Sequence, residues 1–188
     1  MKKPLPDLFQ LIKKYSAVLR FIFTFLGTYL VLAFLYNLYL HHFPSETYYP
    51  DFLTHLVALQ SETLVSAFGY DAQAVSGYPE STMHLMVNGQ FVARIIEGCN
   101  AASIIILFVS FMLAFFGKVK TTLVFILVGT VVIYVTNIGR IAMMAIGIYE
   151  YPQQAHFLHT IAFPLIIYGA VFMLWVLWVQ VYTKQIRG

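Results

Sequence analysis

Long apolar runs broken by very few charges constrain this chain more than any other feature. The hydrocarbon core of a bilayer is about 30 Å thick and a helix rises about 1.5 Å per residue, so roughly 20 mostly apolar residues are needed to cross it. Four stretches are expected to do so. Phe21 to Leu40 carries no charge, and the run from Ala101 to Phe116 begins just after Cys99. A third, Thr122 to Tyr149, contains Asn137 and Arg140, and the fourth runs from Thr160 to Tyr182. An ordinary soluble domain has about 25% charged residues. Here 10% of 188 residues are charged and 60% are hydrophobic, and 13 Tyr and 17 Phe fit rings lying at headgroup level.

The expected fold class is an all-α polytopic membrane protein, with four main transmembrane helices, an outer interfacial amphipathic helix and a short β-hairpin. As one membrane domain it divides into a basic N-terminus (1–20), spans at 21–40, 99–117, 122–149 and 160–182, an external segment (41–98) and a tail (183–188). The first span is longer than a signal-peptide core and is followed by "YNLYLHHFP", without a small-residue cleavage site, so it reads as a retained anchor.

Basic residues set the orientation. Lys2, Lys3, Lys13, Lys14, Arg20, Lys118, Lys120, Lys184 and Arg187 would all lie on one side, which the positive-inside rule makes cytoplasmic, together with both termini. Glu46, Asp51, Glu62, Asp71, Glu80, Glu97 and Glu150 then fall outside.

In the external segment, Phe52, Leu56, Leu59, Thr63 and Ala67 recur at helical spacing, predicting an amphipathic helix that ends near Gly69 and lies at the outer interface. After a loop, "MHLMVNGQFVARII" reads as a hairpin, because Asn88-Gly89 is a two-residue turn signal between strand-like runs. Its second strand, Gln90 to Ile96, leads into Cys99.

Cys99 is the only cysteine. It is placed by topology at the outer start of a span, where free helix amides and the helix dipole favour a thiolate. Its bland alternative is a small packed hydrophobe. Arg140 lies about 27 Å along its span from Thr122, near the height of Cys99. An intramembrane arginine is costly and usually faces a protein interior or a wet cavity; otherwise it snorkels, or pairs with Glu97 or Glu150. His156 and His159 occupy the outer return before the last span and share a face at helical spacing. Together, cysteine, histidine and arginine supply a nucleophile, a proton carrier and a fixed charge for a developing oxyanion, a set suited to acyl transfer through a thioester.

The order and spacing of "EGCNAAS", "TNIGRIAMM" and "HFLHTIAFPLIIYG" resemble the exosortase/archaeosortase family, in particular its short F-type members, over about half of the chain, Phe91 to Trp178. The resemblance implies a sortase-like cysteine transpeptidase in the cytoplasmic (inner) membrane of a prokaryote, working on the outer face. Its partners would be membrane lipids and exported proteins ending in a short motif, a transmembrane helix and a basic cluster. The family's Cys, Arg and His map to Cys99, Arg140 and His159, with His156 an alternative and Asn137, Asn100 and Glu97 as supporting residues. Longer members commonly follow the nucleophile with Ser-Gly, where this chain has Asn100-Ala101. They often have Gly four residues after the histidine, where it has Phe163, and they have more spans.

Two other classes stay open: a hydrolytic membrane cysteine protease, and a non-enzymatic assembly or lipid-binding protein in which Arg140 and Asn137 hold helices or an anionic lipid. No cofactor, metal or nucleic-acid partner is expected, since metal-ligand spacings and nucleotide loops are absent and the basic residues read as topological signals.

Overall fold

In the computed structural model the described residues are 12–42 and 48–187; Lys2, Lys3 and Glu46 lie outside them. Three segments are long and apolar enough to cross a membrane: Ser16–His42 (α1), Val119–Glu150 (α4) and Pro152–Lys184, most of which is α5 (Phe163–Arg187). The remaining run expected to span forms only a 13-residue helix, Ala102–Ala114 (α3). It starts late because Ala101 is left-handed, and its last turn closes at Phe115, ahead of Gly117.

α3 lies antiparallel to α1. Near one end of the pair Phe21 packs on Phe111 and Phe115, with ring centroids 5.9 and 4.6 Å apart, and near the other Tyr36 meets Asn100. α4 and α5 complete the bundle. Phe108, Met112, Ile133, Ile167, Val171 and Trp178 form its core, and the Trp178 indole donates to the Phe115 carbonyl at 3.1 Å.

α4 is about 48 Å long at 1.5 Å per residue, enough to belong to two cores. Thr122, Gly129 and Ile133 are buried in its first half, whereas Ile141, Ala142, Met144 and Ala145 are buried in its second, beneath a cap. The cap consists of helix α2 (Phe52–Ala67) and a sheet of β1 (Ala72–Ser76), β2 (Thr82–Val87) and β3 (Gln90–Ile96). Asp51 caps α2 through Oδ1, which accepts from the amides of Leu53 and Thr54. The upper end of α4 is tied to the cap where the Tyr70 hydroxyl donates to Glu150 at 2.9 Å, a bond that raises the Tyr70 pKa above its ordinary value.

Two expectations for the external segment need correction. The sheet is a three-stranded antiparallel meander in the order β1-β2-β3, not a lone hairpin, because Ala72–Ser76 pairs along β2 where a loop was expected. The hairpin itself turns at Asn88 and Gly89, both with positive φ (49° and 75°), as a two-residue turn matched to strand twist requires. The expected helix forms, but its buried face is Thr54, Val57, Ala58, Ser61 and Val65. At 100° per residue this lies opposite the Phe52–Leu56–Leu59–Thr63–Ala67 stripe, whose Phe52 and Leu59 are exposed. Small residues win the inner face because the helix sits close against the sheet and α4.

Candidate active site

β3 delivers the chain to a single 3-10 turn, Glu97–Cys99, at the junction of cap and bundle. Cys99 is free and half-buried. It is not the first residue of α3: Asn100 and Ala101 intervene, and the amide of Ala102 is taken by Asn100 Oδ1 at 3.0 Å rather than by the thiol.

Asparagines fix this turn from both sides. The Asn100 amide donates to the Tyr36 hydroxyl at 2.7 Å and the Thr54 hydroxyl at 3.2 Å, joining α1, α2 and the turn in one buried network. Asn137, itself buried, donates to the Cys99 carbonyl at 2.7 Å and pins the turn to α4. Glu97 joins the network through its backbone, its carbonyl accepting from Tyr36 at 3.5 Å.

The histidines reach the site by another route. α4 ends at Tyr151, whose φ and ψ of −131° and 63° leave the helical region, and Pro152 opens a 3-10 turn, Pro152–Gln154. A short turn, Ala155–Phe157, carries His156, and a π-helical segment, Leu158–Ala162, carries His159 ahead of α5. Gly147 lets this return lie close, since a Cβ there would stand 3.1 Å from Leu158 Cδ1.

A groove of about 550 Å³ lies between β3 and α4. Phe91, Arg94 and Ile96 line one side and Met144 and Ile148 the other, and Cys99 and His159 both open into it. His156 and Arg140 are not among its lining residues. Arg140 stands one turn beyond Asn137 and one turn before Met144 on α4, and its Nε is buried with no hydrogen-bond partner. No ion pair joins it to Glu97 or Glu150; Arg94 instead pairs with Glu80 at 2.8 Å on the exposed rim. A larger cavity of about 700 Å³ at the opposite end of the bundle, lined by Ser16, Arg20, Phe21, Thr24, Leu113 and Tyr182, contains neither a thiol nor an imidazole.

Sequence reasoning missed Met144 and Ile148 as site residues. The spacing 137–144–148 carries the signal, since these positions fall on one helical stripe with Arg140 beside it.

The groove therefore offers a thiol and an imidazole on its walls and a long apolar face, while Arg140, outside its lining, lies one helical turn from the residue that holds the thiol's backbone. A family model described as transmembrane exosortase matches residues 12–181. No curated protein and no solved structure matches.

Proposed function

The chain belongs to the transmembrane exosortase family, and from that premise we propose that it is a cysteine transpeptidase acting on C-terminal sorting signals of exported proteins. It is a multi-pass membrane protein. In this reading both termini are cytoplasmic, and the groove faces the outer, periplasmic side of a prokaryotic inner membrane.

The observation that carries the reading is that Cys99 and His159, sixty residues apart, line one groove. Cys99 Sγ attacks the scissile carbonyl carbon, its proton passing to His159. The tetrahedral intermediate collapses with cleavage of the C–N bond, and His159 returns that proton to the departing amine. A thioester remains on Cys99. An acceptor nucleophile then attacks it, giving up a proton to His159, and the C–S bond breaks with the thiolate recovering that proton. Arg140, one helical turn from the asparagine that holds the Cys99 turn, supplies the fixed positive charge for the oxyanion. Asn137 and Asn100 act as positioning residues through the bonds that hold the turn.

The test is Cys99→Ala in host cells. Full-length protein should accumulate at wild-type level while an exported protein with a motif, an apolar helix and a basic tail accumulates uncleaved. Because Cys99 is the only thiol, a membrane-impermeant maleimide added to intact spheroplasts should label the wild-type chain and leave the variant unlabelled. Unchanged processing in Cys99→Ala would sink the enzyme reading. Mass spectrometry of the processed C-terminus separates transfer, which adds the acceptor's mass, from hydrolysis, which adds water.

A further inference from the structure

The two edges of the cap sheet are treated differently. On β1 the outward amide of Ala74 donates to Glu62 Oε2 at 2.7 Å, so a carboxylate from α2 covers a donor that would otherwise template another chain. β3 is the opposite edge, and it borders the groove that holds Cys99 and His159.

The ladder shows which β3 groups are free. In antiparallel pairing, opposed residues alternately exchange both hydrogen bonds or direct them away from each other. The Thr82 carbonyl accepts from Gly77 on the β1 side, so Ile96, opposite Thr82, directs its backbone groups away from β2. Ala74 also points outward, so Leu85 faces β3 and His84 faces β1, which leaves Arg94, opposite His84, pointing outward as well. The N–H and C=O of Arg94 and the N–H of Ile96 are thus directed away from β2 beside the thiol, while the Ile96 carbonyl opens the 3-10 turn.

The direction of β3 is fixed too. Its first residues adjoin the Asn88 turn, whose side chain accepts from the Asp71 amide, next to Tyr70 and hence the outer end of α4 at Glu150. Its far end reaches Cys99, held at Asn137. Between Glu150 and Asn137 α4 descends about 20 Å, so β3 runs from the outside down toward the bundle.

We propose that β3 receives, as a fourth strand, the extended segment of the substrate polypeptide just N-terminal to its scissile bond, in parallel register through the backbone of Arg94 and Ile96. The inference rests on the transpeptidase reading and specifies how its substrate is held. Parallel pairing follows from the substrate's anchorage: its membrane helix lies C-terminal to the cleaved bond, so the preceding segment runs N to C toward the membrane, in the same sense as β3. Main-chain pairing supplies affinity for any extended chain, while Phe91, Met144 and Ile148 select apolar side chains at alternate positions.

The substrate used in the test is the exported protein that accumulates uncleaved in Cys99→Ala cells. Arg94→Pro removes an outward N–H at an edge position where proline is tolerated, and Ser76→Pro places the same ring at an outward position on the β1 edge. Arg94→Pro should slow processing by about tenfold, the loss expected for one net hydrogen bond to the bound chain, while Ser76→Pro processes at the wild-type rate. In the Cys99→Ala background, Ile96→Cys should form a disulfide with a substrate cysteine beside the scissile bond, and Arg94→Cys with one about two residues upstream, in parallel register. This cross-linking arm decides the matter if Arg94→Pro fails to accumulate. Processing by Arg94→Pro at the wild-type rate, or cross-links that are absent or run in the opposite order, overturn the inference and leave the transpeptidase reading standing. Cells in which Cys99→Ala leaves no exported protein uncleaved overturn that reading, and this inference with it.

Discussion

Ala101, two residues beyond the thiol, has φ +67°, a conformation that costs a residue with a Cβ about 1–2 kcal/mol. Glycine, which the resemblance places commonly at this position, would remove that cost. The Ala101 methyl is buried, however, and its removal loses about 0.8 kcal/mol of transfer energy. Glycine also leaves the unfolded chain freer, by about 0.4–1 kcal/mol. These terms nearly cancel, so Ala101→Gly should leave stability within about 1 kcal/mol of wild type, whereas Ala101→Val, branched at Cβ with positive φ, should cost more than about 2 kcal/mol. Thermal unfolding in detergent measures both, and a large loss for the glycine variant would contradict the balance. At this scale the sequence was informative about residue types: Cys99, Arg140 and His159 stood out as costly or reactive groups in apolar surroundings. It was silent on Met144 and Ile148, ordinary apolar residues whose role comes only from facing β3 across the groove.

Among the elements, periodicity located α2 but not the face it buries. Its bulky stripe was the stronger hydrophobic signal, yet close packing against the sheet and α4 favours Thr54, Ala58 and Ser61, whose small side chains fit a narrow interface. β1 escaped notice because five residues, Ala72–Ser76, carry little alternation of their own and become a strand by pairing with β2. The hairpin turn was legible, since Asn-Gly is the dipeptide that accepts two consecutive positive φ values. Close approach also governs α3 against α4. A Cβ on Gly129 would stand 2.3 Å from Phe108 Cζ, and that ring is fully buried, whereas Gly139 has open space. Gly129→Ala should therefore cost about 1–3 kcal/mol by overpacking, despite its better helix propensity. Gly139→Ala should be neutral or gain up to about 1 kcal/mol. Melting temperatures of the two purified variants decide this; equal shifts would mean that α3 and α4 are not in contact at Gly129.

For the whole molecule, hydropathy revealed a membrane protein but overestimated the length of α3, because a composition window does not register where a left-handed residue begins a helix. That short helix sets a vertical scale. From Thr122, beside the Gly117 turn, to Asn137, which holds Cys99, α4 rises about 22 Å, and Phe21 to Tyr36 on α1 covers the same height. A typical hydrocarbon core is about 30 Å thick, so α3, unlike α1 and α4, is several ångströms shorter than the bilayer where it meets the turn that carries the thiol. Such a mismatch is relieved by thinning of the surrounding lipid, which in the transpeptidase reading brings outer headgroups and water down to the groove and leaves the first residues of the substrate's membrane helix outside hydrocarbon. Acyl-chain length then becomes a determinant of rate: in vesicles of one headgroup and increasing chain length, processing should be fastest in thin bilayers and fall as they thicken, and a rate indifferent to chain length would mean that the shortfall is absorbed by tilt instead.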